Sequence, residues 1–322
     1  MGYKRINATE RRLIYEWRKE DLNQSEIARR LSRSKSSISR EISRNSGQKG
    51  YRYKQAQRKA EARAKRGGDR TFTEEMRQEI RKKTPLGYTP EMIHGRAQLE
   101  GRDMVTHERS YQFIYEDARQ GGTLWKYLPP AKRKRKRRCP RDDTCGRGKI
   151  PNKRSIDTRP DVVQTRERVG DWEGDLINGA SETGHLVTLV ERRNRFSLIE
   201  RVDSKHASTV KTCIDRLFEQ VPAQARKTLT LDNGKEFALH QEIEQESGID
   251  VYFAHPYHSW ERGTNENTNG LIRRIYPKKS SFANIDTKEL KRIDRYVNDR
   301  PRKCLGWLTP REALHAELNL TD

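Results

Sequence analysis

The sequence contains few cysteines and no long hydrophobic run. Four cysteines occur in 322 residues, at Cys139, Cys145, Cys213 and Cys304. Their spacing matches neither a zinc-ligand pattern nor a dense disulfide framework, so reduced thiols and a cytoplasmic location are expected. No apolar run is long enough to cross a membrane. The chain turns polar directly after Met1, which argues against a secretory signal peptide.

Hydrophobic residues are also scarce. They make up 32% of the chain, whereas charged residues make up 35%. This composition predicts several small domains rather than one large core. The net charge is +22, and residues 1–160 contain 43 Lys and Arg against 20 Asp and Glu, whereas residues 161–322 contain 25 against 26. A basic half beside a neutral half indicates a polyanion-binding module joined to a second kind of domain.

Residues 1–47 are predicted to form a helix-turn-helix DNA-binding domain. Two short helices, at 25–31 and 35–42, flank a turn, and their apolar positions supply a small core. The exposed face of the second helix combines basic and hydroxyl side chains, which suits the major groove of DNA. These side chains are Lys35, Ser36, Ser39, Arg40 and Arg44. The alternative is a plain helical hairpin with a solvated charged face.

The remainder of the basic half is predicted to contain a second helical domain between two linkers. Residues 48–71 are rich in Lys and Arg and read as a basic linker, either helical or extended. A second helical unit is predicted at residues 72–120. Thr89 suits the N-cap of a helix, and Pro90 suits its first position. A second helix-turn-helix that places Arg109 on DNA is one interpretation of this unit.

Residues 121–160 are predicted to be a second basic linker. The linker includes seven consecutive cationic residues at 132–138. Such a run repels itself until it meets a polyanion, so we expect it to contact DNA, although a nuclear-localisation signal has the same composition. The DNA contacts predicted here are Lys132, Arg133, Lys134 and Arg135.

The neutral half, residues 161–322, has the pattern of a layered α/β domain. Apolar strand-like runs alternate with amphipathic helices, which predicts a mixed five-stranded sheet with flanking helices. The expected strands are 171–177, 185–191, 196–202, 227–232 and 249–253, and the expected helices are 207–220, 236–247, 264–275 and 287–299.

Carboxylates occur at three places in this domain where they could converge. Strand periodicity puts Asp171, Glu173 and Asp175 on one face of the first strand, and spacing alone does not choose between them. Asp232 ends an apolar strand, and Glu266 lies near the start of a helix. Three carboxylates from two strands and a helix can hold two divalent ions. Two such ions about 3.5–4 Å apart clamp the attacking and leaving oxygens of a phosphoryl displacement.

The motifs around these acids resemble those of a known superfamily. They are Trp172-Glu173-Gly174-Asp175, the stretch 230–237, the stretch 262–271, and the tail 298–303 followed by Leu308-Thr309-Pro310. Together they resemble the DDE recombinases, which comprise RNase H-like transposases and retroviral integrases. Within this superfamily the chain is most similar to the bacterial insertion-sequence family numbered thirty, and residues 37–41 fit that family's first DNA-binding unit.

The resemblance implies a DNA transposase with an RNase H-like catalytic domain. By this resemblance Asp175 bridges two metal ions, Asp232 holds one and Glu266 holds the other. Mg²⁺ suits carboxylate oxygens and keeps water for a substrate phosphate, and Mn²⁺ is expected to substitute. The implied reaction nicks the end of the element to free a 3′-hydroxyl. That hydroxyl attacks a second phosphodiester, and the two ends join into a circle before integration.

The resemblance also implies the partners of the chain. They are the terminal inverted repeats of the element and target DNA. The chain is expected to bind them as a homo-oligomer of at least two protomers, in the bacterial cytoplasm at the nucleoid. Arg262 and Arg273, which flank Glu266, are expected to contact phosphate, and Trp260 is expected to stack on a frayed base or to pack within its loop. His255 and His258 are assigned structural or phosphate-contact roles, because imidazole suits softer metals.

Two other functions fit parts of the sequence. A non-catalytic regulator would use the helix-turn-helix on operator DNA, with the acids as turn and surface residues. A nuclease would cut without joining strands. Metal-dependent cleavage separates the enzymes from the regulator, and a joined product separates a transposase from a nuclease.

Overall fold

The computed structural model describes residues 6–69, 72–129, 150–180, 183–256 and 258–318. Lys132, Arg133, Lys134 and Arg135, together with Cys139 and Cys145, lie outside the described residues. The chain divides into two compact units, residues 1–79 and residues 80–322. No helix among the described residues is both long enough and apolar enough to cross a membrane.

The first unit begins with three short, capped helices. They are α1 (Ala8–Lys19), α2 (Gln24–Arg30) and α3 (Lys35–Asn45). The residues that precede these helices are Asn7, Asn23 and Ser34. The side chain of each accepts a hydrogen bond from a backbone N–H in the first turn of its helix. Such caps satisfy amide groups that the helix itself leaves unpaired. The predicted helix-turn-helix is confirmed as α2 and α3.

The predicted basic linker at 48–71 is part of this first unit. It contains helix α4 (Tyr53–Asp69), and Ala56 is fully buried in the same hydrophobic cluster as Ile27 and Ile38. Arg11 on α1 donates hydrogen bonds to Glu41 on α3 and to Gln57 on α4. The abundance of charge in 48–71 hid the few small apolar positions that attach this helix to the core.

The second unit contains a five-stranded mixed sheet, as predicted. Its strands are β1 (Asp171–Asn178), β2 (His185–Glu191), β3 (Ser197–Val202), β4 (Thr228–Leu231) and β5 (Asp250–Phe253). The strand order is β3-β2-β1-β4-β5. The pairs β1–β2 and β2–β3 are antiparallel, whereas β1–β4 and β4–β5 are parallel. Strands β1 and β4 therefore end at the same edge of the sheet.

Helices cover both faces of the sheet. A short helix, α8 (Val162–Thr165), precedes β1. The longer helices that follow β1 are α9 (Ala207–Glu219), α10 (His240–Ser247), α11 (Gly263–Ile275), α12 (Thr287–Asn298) and α13 (Pro310–Leu318). Trp172 and Leu176 of β1 pack in the core with residues of α9 and α10. Ile177, on the opposite face, packs with residues of α11 and α12. Helix α13 had no predicted counterpart.

The α/β domain begins earlier in the sequence than the predicted boundary at 161. Ile150 is buried in the main core cluster. Ser155 forms a parallel bridge with Phe253, and Arg154 accepts the Phe253 amide at 2.8 Å through its carbonyl oxygen. Residues 150–160 thus extend the β5 edge of the sheet. A polar sequence whose two isoleucines are six positions apart gave no strand signal there.

The second helical region lies within the second unit rather than in a separate domain. It contains α5 (Glu74–Lys83), which spans the division, then α6 (Pro90–Leu99) and α7 (His107–Arg119). The predicted helix start is confirmed, because the Thr89 hydroxyl accepts the Met92 amide and Pro90 follows. Arg96 pairs with Glu312 on α13 at 2.6 Å. Whether this region binds DNA stays a prediction.

Candidate active site

The structure distinguishes between the three acids on the first strand. Asp171 is 1% exposed, and its carboxylate accepts hydrogen bonds from Arg168 and Thr228. Glu173 is fully buried and pairs with Arg192 at 3.2 Å. Asp175 lies closest to the strand's end and is partly exposed. Of the three, Asp175 alone has a carboxylate that solvent can reach, which supports its assignment.

Asp175 and Asp232 face the same cationic side chain. Arg262 places Nη1 3.2 Å from Oδ1 of Asp175 and Nη2 3.1 Å from Oδ2 of Asp232. Its Nη1 also donates to the Gly174 carbonyl oxygen at 2.9 Å. The two aspartates therefore converge on one positive charge, although 57 positions separate them in the sequence. This convergence follows from the parallel pairing of β1 with β4.

The electrostatics of the pair are those of carboxylates in a partly desolvated site. Burial raises the pKa of Asp175, and the nearby Asp232 charge raises it further, while Arg262 opposes both effects. Burial lowers the pKa of the Arg262 guanidinium, but the two aspartates more than offset this and leave it above its ordinary value. Close carboxylates of this kind favour a shared cation.

Helix α11 carries the third acid, and the ligand atoms of Asp175, Asp232 and Glu266 do not all lie within 4.8 Å of one another in the described structure. Glu266 is exposed, and no described residue forms a hydrogen bond or ion pair with its carboxylate. Asn269, one turn later, donates from Nδ2 to Oδ2 of Asp175 at 2.6 Å. Residues three apart are neighbours on a helix surface, so Glu266 emerges next to the side chain that contacts Asp175.

Asparagines that sequence reasoning did not single out fix the position of α11. The Asn265 amide donates to the buried Glu173 carboxylate at 2.9 Å, and its side chain bonds to backbone carbonyls of β1 and β2. Asn265 and Asn269 are four residues apart, so both face the sheet while Glu266 does not. Helical periodicity within the stretch 262–271 could have revealed this division.

A fourth acid near the pair was also missed. Glu236 lies in the short 3₁₀ helix Lys235–Phe237 that follows Asp232. Its burial raises its pKa, and the charges of Asp232 and Asp175 raise it further. Glu236 therefore adds negative potential to the region that receives a cation.

The loop before α11 is held by a histidine network. His255 shares hydrogen bonds with Glu261 at 2.8 Å and with Asp157 at 3.0 Å. Ligand atoms of His255, His258 and Glu261 also lie within 4.8 Å of one another, close enough for a metal ion. These hydrogen bonds fit a structural role for His255, and its role stays a prediction. Trp260 is 68% exposed and edge-on to His258, so its ring is free to stack on a base.

The other predicted DNA contacts differ in accessibility. All five residues on the recognition helix α3, Lys35, Ser36, Ser39, Arg40 and Arg44, are exposed. Arg109 on α7 pairs with Glu116 of the same helix. Arg273 donates from Nη2 to the Asn178 carbonyl oxygen at 2.8 Å, at the end of β1. DNA contact by each of these residues stays a prediction.

The site fits divalent metal ions of the hard, oxygen-preferring kind. Its donors are carboxylates, and two of them already hold a cation in the form of Arg262. Asp175, Asp232 and Glu266 are each at least partly exposed, in contrast to Asp171 and Glu173. Carboxylates at a shared sheet edge can hold the metal ions that a phosphoryl-transfer enzyme requires.

Comparison with known proteins agrees with this architecture. Residues 166–259 match the integrase core domain family, and residues 2–45 match a helix-turn-helix domain family. A solved structure of the catalytic core domain of BIV integrase is 19% identical, covers 47% of this chain and 98% of that one, and superimposes with a TM-score of 0.37.

Full-length relatives extend the agreement along the whole chain. The transposase for insertion sequence element IS4351 of Bacteroides fragilis is 41% identical over 92% of this chain and 91% of its own length. The transposase of IS30A from Escherichia coli is 34% identical over 92% and 79%, and that of IS1086 from Cupriavidus metallidurans is 36% identical over 99% and 97%. The chain thus belongs to the IS30 family of insertion-sequence transposases and is a DDE-type polynucleotidyl transferase that binds DNA and uses divalent metal ions.

Proposed function

We propose that this transposase cleaves and joins the ends of its own insertion sequence at a site built from Asp175, Asp232 and Glu266. The observation that carries the proposal is the shared contact of Asp175 and Asp232 with Arg262, because it places two partly exposed carboxylates around one positive charge. Arg192 and Arg168 neutralise Glu173 and Asp171, which leaves these two acids as supports for the strand.

Asp175, Asp232 and Glu266 would hold two Mg²⁺ ions. When bound, such ions activate the attacking oxygen and stabilise the leaving oxygen of a phosphodiester. Asn269 orients the Asp175 carboxylate through its 2.6 Å hydrogen bond. Arg262 has to leave the carboxylates for the ions to enter, and the substrate phosphate is the natural new partner for its guanidinium.

The chemistry comprises two displacements at phosphorus. In the first, a water oxygen bonds to phosphorus, the bond from phosphorus to the 3′-oxygen breaks, and the element end is left with a free 3′-hydroxyl. In the second, that hydroxyl attacks another phosphodiester and releases a different 3′-oxygen. No covalent bond to the protein forms at either step. Joining one end to the other would give a circular intermediate before integration.

Terminal inverted repeats are the proposed ligand of the helix-turn-helix, with α3 in the major groove. Joining two ends requires two recognition modules and an active site in one complex. One chain has a single carboxylate triad, so the working form on DNA is proposed to be at least a dimer.

The proposal is tested by incubating the purified protein with labelled terminal-repeat duplex and Mg²⁺. Nicked and joined products are expected from the wild type and neither from Asp232→Asn. Nicking without joining would favour a nuclease, and specific binding with no metal-dependent product would favour a regulator. Mass measurement of the complex with paired ends tests the dimer.

A further inference from the structure

A large basic groove lies within the second unit, at the C-terminal end of α11. Its volume is about 1340 Å³, and it runs between the turn 85–88, the segment 126–129, the end of α11 and one face of α12. Of its 20 lining residues, eight are Lys or Arg and two are acidic. Both acids are engaged, Glu289 by Tyr276 and Arg292, and Asp299 by Arg311. The groove therefore carries a strong positive charge.

Helix α12 presents an unpaired cationic stripe to this groove. Lys288, Lys291 and Arg295 follow the three- and four-residue spacing of a single helix face, and all three are exposed. No described residue forms a hydrogen bond or ion pair with any of them. The opposite face of α12 is anchored in the core by Ile293 and Val297. The helix that carries the stripe is therefore held in place by the core, and its three exposed cationic side chains can contact an anion.

A buried arginine lines the same groove. Arg300 is 1% exposed, and its Nε and Nη1 have no hydrogen-bond partner among the described residues. Its neighbours are the Tyr296 ring, 4.5 Å from the guanidinium carbon, and the Gly87 carbonyl oxygen. Neither carries a negative charge, and burial lowers the pKa of Arg300. A buried cation without an anionic partner costs free energy that a nearby phosphate would offset.

The groove begins close to the proposed catalytic centre. Arg273, which lines it, is seven residues beyond Glu266 on the same helix. At 1.5 Å per residue this separation is about 10 Å. The rise of DNA is about 3.4 Å per base pair, so a strand that leaves the active site would reach the groove after roughly three nucleotides.

We infer that this groove binds the sugar–phosphate backbone of a DNA strand next to the phosphodiester that reacts. The inference rests on the proposed function for the identity of the polyanion. Three tyrosines line the groove along with the cations, and Tyr127 is 49% exposed. Aromatic rings among cations suit a nucleic acid strand, because bases can stack on the rings while phosphates contact the charges.

The first test measures how DNA affinity depends on salt. The full chain with Lys291→Gln and Arg295→Gln is compared with Arg216→Gln and Lys227→Gln, which remove equal charge from exposed positions outside the groove. The probe is a 40-base-pair duplex without divalent metal, so catalysis does not enter. Each lost phosphate contact lowers the slope of log K against log salt by about 0.9, so a fall of about 2 is expected for the groove pair and none for the control pair.

An unchanged slope, or an equal fall in both pairs, would overturn the inference. So would retained DNA affinity combined with lost binding of polyglutamate, since that result indicates an acidic protein partner. Cleavage by the groove variants at saturating DNA would show that the proposed function stands even where the groove assignment fails.

The second test identifies which DNA strand occupies the groove. 5-Iodouracil is placed either in the DNA flanking the element end or in a target duplex of arbitrary sequence, and crosslinks to the full chain are mapped. One of the two DNAs is expected to give a crosslink at Tyr127 that disappears in Tyr127→Leu. The DNA that gives this crosslink is the one that occupies the groove. The absence of groove crosslinks from both arms would contradict the inference.

Discussion

At the level of single residues, the choice of catalytic acid depends on which cation each acid contacts. The alternation of β1 placed Asp171, Glu173 and Asp175 on one face. It could not show that Arg168 and Arg192 neutralise the first two, because alternation says nothing about which charged side chains pair. The sequence patterns therefore predicted the candidate set, and packing distinguished its members.

Asp175→Asn should mainly affect catalysis, whereas Asp171→Asn should mainly affect stability. Loss of the Asp175 charge should lower strand cleavage at least a hundredfold, a change of about 2.7 kcal/mol in activation free energy, with little effect on stability. Asp171→Asn should instead lower stability by about 1–3 kcal/mol, because Arg168 loses a charged partner, and should slow cleavage less than tenfold. Cleavage rates and urea unfolding check this pair. A larger catalytic loss from Asp171→Asn would reassign the ligand.

Arg262→Gln should tighten divalent metal binding in the absence of DNA. The guanidinium and the metal compete for the same two carboxylates, so removing the internal cation should lower the dissociation constant for Mn²⁺ several-fold. Arg273→Gln is the matched control, since its guanidinium bonds to the Asn178 carbonyl oxygen instead. Calorimetric titration with Mn²⁺ measures both variants. Equal or weaker binding by Arg262→Gln would refute competition at this site.

At the level of elements, regular apolar patterns predicted the structure well and irregular ones did not. The five strands begin and end within about one residue of their expected positions. The expected helix at 236–247 is instead a 3₁₀ turn followed by α10, because Phe237 packs into the core just after the Asp232 turn. Residues 150–160 and α13 were missed because few of their residues are buried, Ile150 in the first segment and Pro310, Ala313 and Leu314 in the helix.

The turn after β2 provides a test of buried charge. Glu191 is fully buried and accepts the Gly170 and Asn194 amides, and burial raises its pKa from 4.5 to about 7. Between pH 4.5 and 7 the unfolded chain therefore loses the Glu191 proton while the folded chain keeps it. Stability should fall with rising pH in that window and level off above it.

The Glu191→Gln variant should lack this pH dependence of stability, because its side chain does not titrate. The stability difference between wild type and Glu191→Gln should shift by about 3 kcal/mol from pH 4.5 to 7.5, in the direction that disfavours the wild type at the higher pH. Chemical unfolding at a series of pH values gives the difference directly. A difference that stays constant with pH would show that Glu191 is ionised in the folded protein throughout.

At the level of the whole molecule, the charge asymmetry of the sequence corresponds only partly to the division into units. The helix-turn-helix and α4 form the first unit, whereas α6 and α7 are packed against the catalytic domain. Gly95 on α6 shows the tightness of that packing, because a Cβ there would lie 2.1 Å from the Trp307 ring. Helical patterns predicted these helices but not their packing partner, which lies some 200 residues later in the sequence.

Residues 1–79 alone should bind terminal-repeat DNA in preference to random duplex. A longer fragment that ends at 120 should be less stable, because it exposes the surface of α6 that normally covers Trp307. Arg40→Ala should weaken specific binding by about 1–3 kcal/mol if its guanidinium contacts a base. Fluorescence anisotropy with both duplexes checks this. The same affinity for both duplexes would rule out the first unit as the specificity module.

If the aspartates hold the catalytic metal ions, a change of ligand atom at one of them should change the metal preference of cleavage. A thiolate ligates Mg²⁺ poorly and softer ions better. Asp232→Cys should therefore lose strand cleavage in Mg²⁺ and recover a measurable part of it in Mn²⁺, while Asp171→Cys should respond to both ions alike. If Asp232→Cys is equally active in both ions, or equally inactive in both while still binding the element end, Asp232 does not hold a catalytic metal.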